Sequence, residues 1–283
     1  MRQTSGVIAL HTGVVVAGAT GIAAQTLLLR ELLTMFGGNE LTLGMALGVW
    51  LLCEAGGSWL ASRTRPGGVW FAGALLGSSA AFALAIVLAP LLRSLLGLTP
   101  GQIPGMGAVA LISLVALLPV SLAHGATFTL ALSLAPRASR GETRSLASIY
   151  ALETAGTLLG GLILGLFLLN RLTSIQVAFG LLILNSGTLG WLAISRMRPR
   201  AALGLLALGL ILTALFALGL PNRLVIESLS RCYAGNQVRH VGNSHYSSLL
   251  VLEREGQTVL LSDGVPAVTS PVPDLAMAEE MAH

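Results

Sequence analysis

Residues Leu146–Leu169 read LASIYALETAGTLLGGLILGLFLL, a run of apolar and small side chains interrupted by one ionisable group, Glu153. A helix needs about 20 predominantly apolar residues to cross the hydrocarbon of a bilayer, and this run is long enough. A carboxylate inside such a run is expensive and turns toward other helices or a watery cavity. Two expectations follow: the chain crosses a membrane, and its function is sought among the polar residues at membrane depth.

Working outward, six more blocks of the same kind are found: Val7–Leu29, Leu41–Ala61, Val69–Leu88, Gly107–Leu134, Ile175–Ile194 and Ala202–Leu220. The expected fold class is an all-α polytopic membrane bundle of about seven transmembrane helices over residues 1–220. A small β-rich segment, 221–283, follows and begins a truncated α/β domain. The composition agrees, with 54% hydrophobic residues, 10% charged and a mean hydropathy of +0.82 over 283 residues. Soluble domains carry about 25% charged residues, so a cytosolic enzyme, a disordered chain and a nucleic-acid reader are excluded. The 16 basic residues are all Arg and sit between apolar blocks rather than on one basic face, which again speaks against nucleic acid. Cys53 and Cys232 make neither a metal spacing nor a disulfide framework. The first block runs well past the h-region of a cleavable signal peptide, so it reads as a true span.

Arg in short loops sets orientation. Arg2, Arg63, Arg65, Arg137, Arg140, Arg144, Arg196, Arg198 and Arg200 fall on one side of a seven-span chain; Arg30, Arg93 and Arg171 fall on the other. A cytoplasmic amino terminus in a bacterial inner membrane is expected, with the tail outside if the count of seven holds. The spacings Gly156/Gly160, Gly161/Gly165 and Gly44/Gly48 place small residues on one helix face for close packing, and Pro119 is expected to kink the fourth span.

Glu54, in LLCEAGGSW, and Glu153 are the two carboxylates flanked by apolar sequence on both sides. A functional pocket or proton-linked role, structural pairing with an Arg, and snorkelling from a helix end are all open to them. His11, Gln25, His124 and Asn185 are weaker members of the set, with a structural hydrogen bond the expectation for His124. Arg30 and Glu31 are neighbours in sequence and point about 100° apart on a helix, so each is free to reach another element. Glu54 is a candidate partner for Arg30. Gly37 and Gly38 then close the first helix as a C-cap.

From Pro221 a short amphipathic helix, Arg223–Arg231, leads into strand-like patches at Gln237–Val241, Ser247–Glu253 and Thr258–Leu261. A hairpin turn is expected at Glu255-Gly256 and another turn at Asp263-Gly264. Asp274 is a candidate cap for a final helix, Leu275–Ala282. A few small strands bury little apolar area alone, so a piece of a longer protein is expected. Dinucleotide, P-loop, zincin and nucleophile-elbow motifs and paired metal spacings do not occur; no metal and no cofactor-binding sheet are expected in these residues.

Three groups of segments carry a family resemblance: QTLLLRELLTMFGGNELTLG with WLLCEAGGSWLASR (25–44 and 50–63), HGATFTLALS with YALETAGTLLGG (124–133 and 150–161), and NSHYSSLLVLEREGQTVLLSDG with AEEMAH (243–264 and 278–283). In order and position they resemble bacterial membrane proteins in which a transporter-like helical bundle is fused to a spermidine-synthase-like domain. SWLASRTR after the second span is similar to the loop signature of major-facilitator transporters. The resemblance implies that the full-length protein is a polyamine aminopropyltransferase-like enzyme. It would move an aminopropyl or related group from decarboxylated S-adenosylmethionine or a similar S-adenosyl-type substrate. It also implies substrate-binding roles for Asp263, Glu279 and His283. Where soluble spermidine synthases carry Gln and Tyr-His, this chain has Ala267 and Met277-Ala278.

A reading from a different class stands beside this one. In a transporter or half-transporter for a small cationic solute, with a regulatory or vestigial tail, Glu54, Glu153 and Arg30 would line a midplane cavity. A plain membrane scaffold is the third reading. The partners expected are the lipid bilayer and a small cationic or adenosyl-type molecule.

Overall fold

The computed structural model describes residues 2–37, 40–64, 67–97, 104–135, 142–195, 198–244 and 247–271. Among the described residues there are eight α-helices: α1 Arg2–Met35, α2 Glu40–Ser62, α3 Gly68–Leu95, α4 Met106–Leu134, α5 Glu142–Ile163, α6 Ser174–Ser195, α7 Pro199–Ala217 and α8 Leu220–Cys232. A single π-helical turn, Leu164–Leu168, continues α5. The first seven helices are long and apolar enough to cross a membrane, which fits a multi-pass membrane protein. Their outward faces carry large apolar side chains, among them Leu52 in α2, Leu158 in α5 and Leu210 in α7, as lipid-facing surfaces do.

α1 is the central helix and touches α2, α3, α4, α5 and α6. It runs past the apolar block that ends at Leu29 and on to Met35, as the expected cap at Gly37 requires, and Leu32 and Phe36 are buried in the same apolar core as Leu28. Gly37, at φ 73°, closes it in the left-handed conformation; Gly38 lies outside the described residues. Pro119 sits in the middle of α4, which continues to Leu134, and Pro90 lies in the last turns of α3.

α2 buries a narrow stripe, Thr42, Ala46, Trp50, Cys53, Gly57 and Ala61, spaced three or four residues apart as in helices that pack nearly in line. Its partner is α4. A Cβ at Gly57 would overlap the Leu122 carbonyl, and a Cβ at Gly125 would overlap the Glu54 carbonyl. α5 lies against α1, where Gly156 meets the Val15 carbonyl, Gly160 meets Ala19 and Gly18 meets the Glu153 carbonyl. Backbones at this separation leave no room for side chains larger than hydrogen. The Gly156/Gly160 expectation holds. A methyl group added at Gly44, Gly48 or Gly165 would find no neighbour within 4 Å, so the Gly44/Gly48 spacing marks no helix contact, and of Gly161/Gly165 only Gly161 faces another helix, its added Cβ 3.7 Å from Ile22 of α1.

Ser5 of α1 and Ser195 of α6 share a hydrogen bond (3.3 Å), and Glu31 near the other end of α1 bonds Ser174 at the start of α6. These pairs identify the two ends of the bundle. The soluble segment docks at the Glu31 end, opposite the amino terminus. It forms one antiparallel sheet in the order β1-β2-β3-β4: β1 Gln237–Asn243, β2 Ser248–Arg254, β3 Gln257–Ser262 and β4 Val265–Ser270. The three predicted strands are there and β4 is added. Both predicted turns have two successive residues at positive φ, Glu255 (51°) with Gly256 (81°) and Asp263 (48°) with Gly264 (78°), the pattern of tight hairpins. The helix expected over Leu275–Ala282 lies outside the described residues.

Candidate functional site

About midway along the bundle, at the level of Gly18 and Gly21 of α1, three polar residues from three helices meet. Glu54 stands about two turns, or about 12 Å along the axis, from the end of α2 at Ser62. One turn earlier, Trp50 is buried, and its indole N–H donates to Glu54 Oε2 at 3.0 Å. The His124 imidazole of α4 bonds Glu54 Oε1 through Nδ1 at 2.8 Å. Glu153 of α5 lies within electrostatic range of both Glu54 and His124. The Trp50 and His124 rings are tilted against each other with centroids 6.3 Å apart.

Glycines bring these groups together. The backbone of Glu54 is pressed onto Gly125, next in sequence to His124, and the backbone of Glu153 onto Gly18 of α1. A Cβ at Gly21 would fall on His124 Nε2, so the imidazole occupies a notch that only glycine leaves open. Nε2 is buried and makes no side-chain hydrogen bond among the described residues, and the Ala17 backbone lies within reach of the imidazole. Ser58 donates to the Gly125 carbonyl at 2.7 Å and closes the cluster on the α2 side.

Both carboxylates face a groove of about 250 Å³ lined by Glu54, Ser58, Gly125, Phe128, Tyr150 and Glu153. Tyr150 is 62% exposed at its mouth, so the groove opens on the flank of the bundle between α2, α4 and α5. Two carboxylates and two aromatic rings around one hollow offer charge and π-faces to a cation. The buried His offers a second place for a proton.

The remaining sequence candidates are elsewhere. Arg30 does not pair with Glu54: its guanidinium donates to the Ser244 carbonyl at 2.6 Å, at the far end of α1. A cavity shared by Glu54, Glu153 and Arg30 is therefore not formed, because Arg30 lies about 13 Å along α1 from Gly21, where His124 sits, and is held by the tail. Glu31 accepts from Ser174 Oγ at 2.5 Å. Gln25 is half-buried and does not line this groove. Asp263 is built into the tail's docking: its Oδ1 accepts from the Ser248 amide at 2.8 Å and lies 3.5 Å from the Thr34 hydroxyl. Glu279 and His283 lie outside the described residues. Asn185, fully buried, donates to Ser79 (2.6 Å) and Thr20 (3.2 Å) and ties α6 to α3 and α1.

The sequence singles out Glu54, His124 and Glu153 but not Trp50, Tyr150 or the notch at Gly21. The i, i+4 spacing of Trp50 and Glu54 is the available signal for the first. No family model, no curated protein and no solved structure matches the chain.

Proposed function

We propose that this chain is the membrane bundle and opening strands of a bacterial, spermidine-synthase-like inner-membrane protein, and that the bundle binds a small organic cation in the groove between Glu54, His124 and Glu153. The observation that carries the cation half is the convergence of two carboxylates on one aromatic-lined groove at membrane depth. Isolated charges are disfavoured there, and a bound ammonium offsets that cost. The synthase half is supported by the ordered segments at 25–63, 124–161 and 243–283 and by the hairpin turn at Asp263-Gly264. In the full-length protein the activity would be aminopropyl or related group transfer from an S-adenosyl-type substrate, with Glu279 and His283 in the substrate-binding part.

Equilibrium binding of putrescine and spermidine to the purified protein tests the first half. Binding to wild type that weakens at least about tenfold, or about 1.4 kcal/mol, in Glu54→Gln and Glu153→Gln supports it; unchanged affinity in both variants rejects it. Binding of an adenosyl thioether by the full-length protein tests the second half, and its clean absence rejects the enzymatic reading.

The open flank of the groove favours a second reading, a transporter or half-transporter whose tail is an appendage. α5 covers the groove on one side only and is itself mostly exposed, leaving a face for a second bundle. Solute flux in proteoliposomes that is lost in Glu54→Gln with the fold intact supports this reading. A protein whose variants change stability alone is a scaffold.

A further inference from the structure

A second cavity lies under the sheet, at the end of the bundle where Glu31 sits. It is largely enclosed and has a volume of about 80 Å³. A buried water needs roughly 10–15 Å³ of such volume, so there is space for about six non-hydrogen atoms. Four parts of the fold close it: the end of α1, the end of α3 with Ile86 and Pro90, the start of α6, and α8 with the sheet.

Ile86, Ile175, Val225, Leu229, Leu249 and Leu250 form the apolar part of the wall, and polar atoms come from Glu31, Thr34, Thr173, Ser174, Tyr233, Asn243 and Ser248. Among the described residues, the one hydrogen bond of the Glu31 carboxylate engages Oε1, through Ser174. The Thr173 hydroxyl is buried and has no partner among the described residues. Arg30, the neighbouring cation, has its guanidinium turned to the Ser244 carbonyl. A carboxylate and an unsatisfied hydroxyl beside a wall of aliphatic side chains match a molecule with a cationic donor head and a short hydrocarbon tail. An anion would meet Glu31, and a neutral hydrocarbon would leave the carboxylate and hydroxyl unsatisfied, which costs free energy in a buried site.

We propose that this cavity binds a short alkylammonium group, with its ammonium on Glu31 and Thr173 and its chain against Ile86, Val225 and Leu250. The site is separate from the Glu54 groove and does not rest on it. The ammonium comes either from a free amine or from the ethanolamine head of a lipid reaching in from the bilayer surface.

Cys232 lines the same cavity and is not in a disulfide, so its alkylation reports occupancy. The purified chain in detergent is treated with a maleimide with and without n-butylammonium, and labelling of Cys232 is followed by mass spectrometry, with buried Cys53 as the internal control. At ten times its dissociation constant a ligand leaves about one site in eleven open, so labelling slows about tenfold. n-Butanol, similar in size but uncharged, is expected to protect far less. Glu31→Gln keeps an acceptor for Ser174 and is expected to abolish protection. Val225→Phe fills the cavity with the carboxylate intact and abolishes it independently, which guards against a folding defect in either variant. Nanodiscs of phosphatidylethanolamine compared with phosphatidylcholine, without added amine, form the lipid arm: protection only in the former assigns the ammonium to the headgroup, and protection only by butylammonium assigns it to a free amine. Absence of protection in both arms, or equal protection by butylammonium in wild type and both variants, overturns the proposal.

Discussion

At the scale of single residues, the groove depends on side chains that are absent as much as on those present. Gly21 leaves the notch that His124 fills, and Gly125 lets the Glu54 backbone approach α4. Gly21→Ala is expected to displace the imidazole and break its 2.8 Å bond to Glu54 without removing any ionisable group. In a cation-binding titration it should behave like His124→Phe; affinity equal to wild type would show that His124 takes no part. Overpacking a close-packed contact costs about 1–3 kcal/mol. Gly125→Leu, whose added atoms meet backbone that cannot rotate away, belongs at the top of that range, measured as a drop in melting temperature in detergent.

At the scale of elements, two interfaces have opposite character. The α1–α5 contact is held by small residues at Gly18, Gly156 and Gly160. Gly156→Leu is therefore expected to loosen α5 and carry Glu153 away from the groove, weakening cation binding although no carboxylate is changed. Cross-linking between cysteines introduced on α1 and α5 reads that separation directly. In the sheet, by contrast, an exposed pair joins β1 to β2: Arg239 Nε donates to Glu253 Oε2 at 2.6 Å. The Arg239 guanidinium holds the Glu253 carboxyl below its usual value, and Glu253 in turn raises Arg239. A carboxyl lowered in the folded state binds fewer protons than in the unfolded state, so its contribution is present above about pH 4.3, the ordinary Glu value. It is lost as pH falls through the lowered folded value. Melting curves between about pH 3 and 6 should show a small acid-side loss that Glu253→Gln removes and that added salt diminishes, as expected for an exposed pair.

At the scale of the whole molecule, seven candidate spans place the two chain regions at opposite ends of the bundle, with α1 starting at one end and the sheet docked at the other. Reporter fusions at the amino terminus and after residue 236 are expected to give opposite sidedness. Equal sidedness would mean that one apolar helix does not cross. The sheet itself buries few large side chains, chiefly Leu252 and Leu261, and leans on α1 through Arg30, Thr34 and Gly264. Arg30→Ala is expected to free the tail, seen as faster hydrogen exchange in β1 and β2 with the helices unaffected. Exchange confined to the helices would contradict this docking.

The helices were legible in the sequence because each apolar run is a local property. The exclusion of charge fixes that Leu146–Leu169 and its counterparts form long helices, wherever their neighbours stand. The hairpin turns were legible for a similar reason, since Asp-Gly and Glu-Gly favour positive φ whatever surrounds them. That Glu54, His124 and Glu153 are unusual residues was also local, because a polar group in an apolar run is visible without a fold. Their meeting was not. It depends on α2, α4, α5 and α1 lying side by side at the heights set by Gly18, Gly21 and Gly125, and neighbours in a bundle are chosen by packing between segments far apart in the chain. For the same reason Arg30 went to the tail and not to Glu54. The cavity under the sheet, built from four distant stretches of chain, exists only in the tertiary structure.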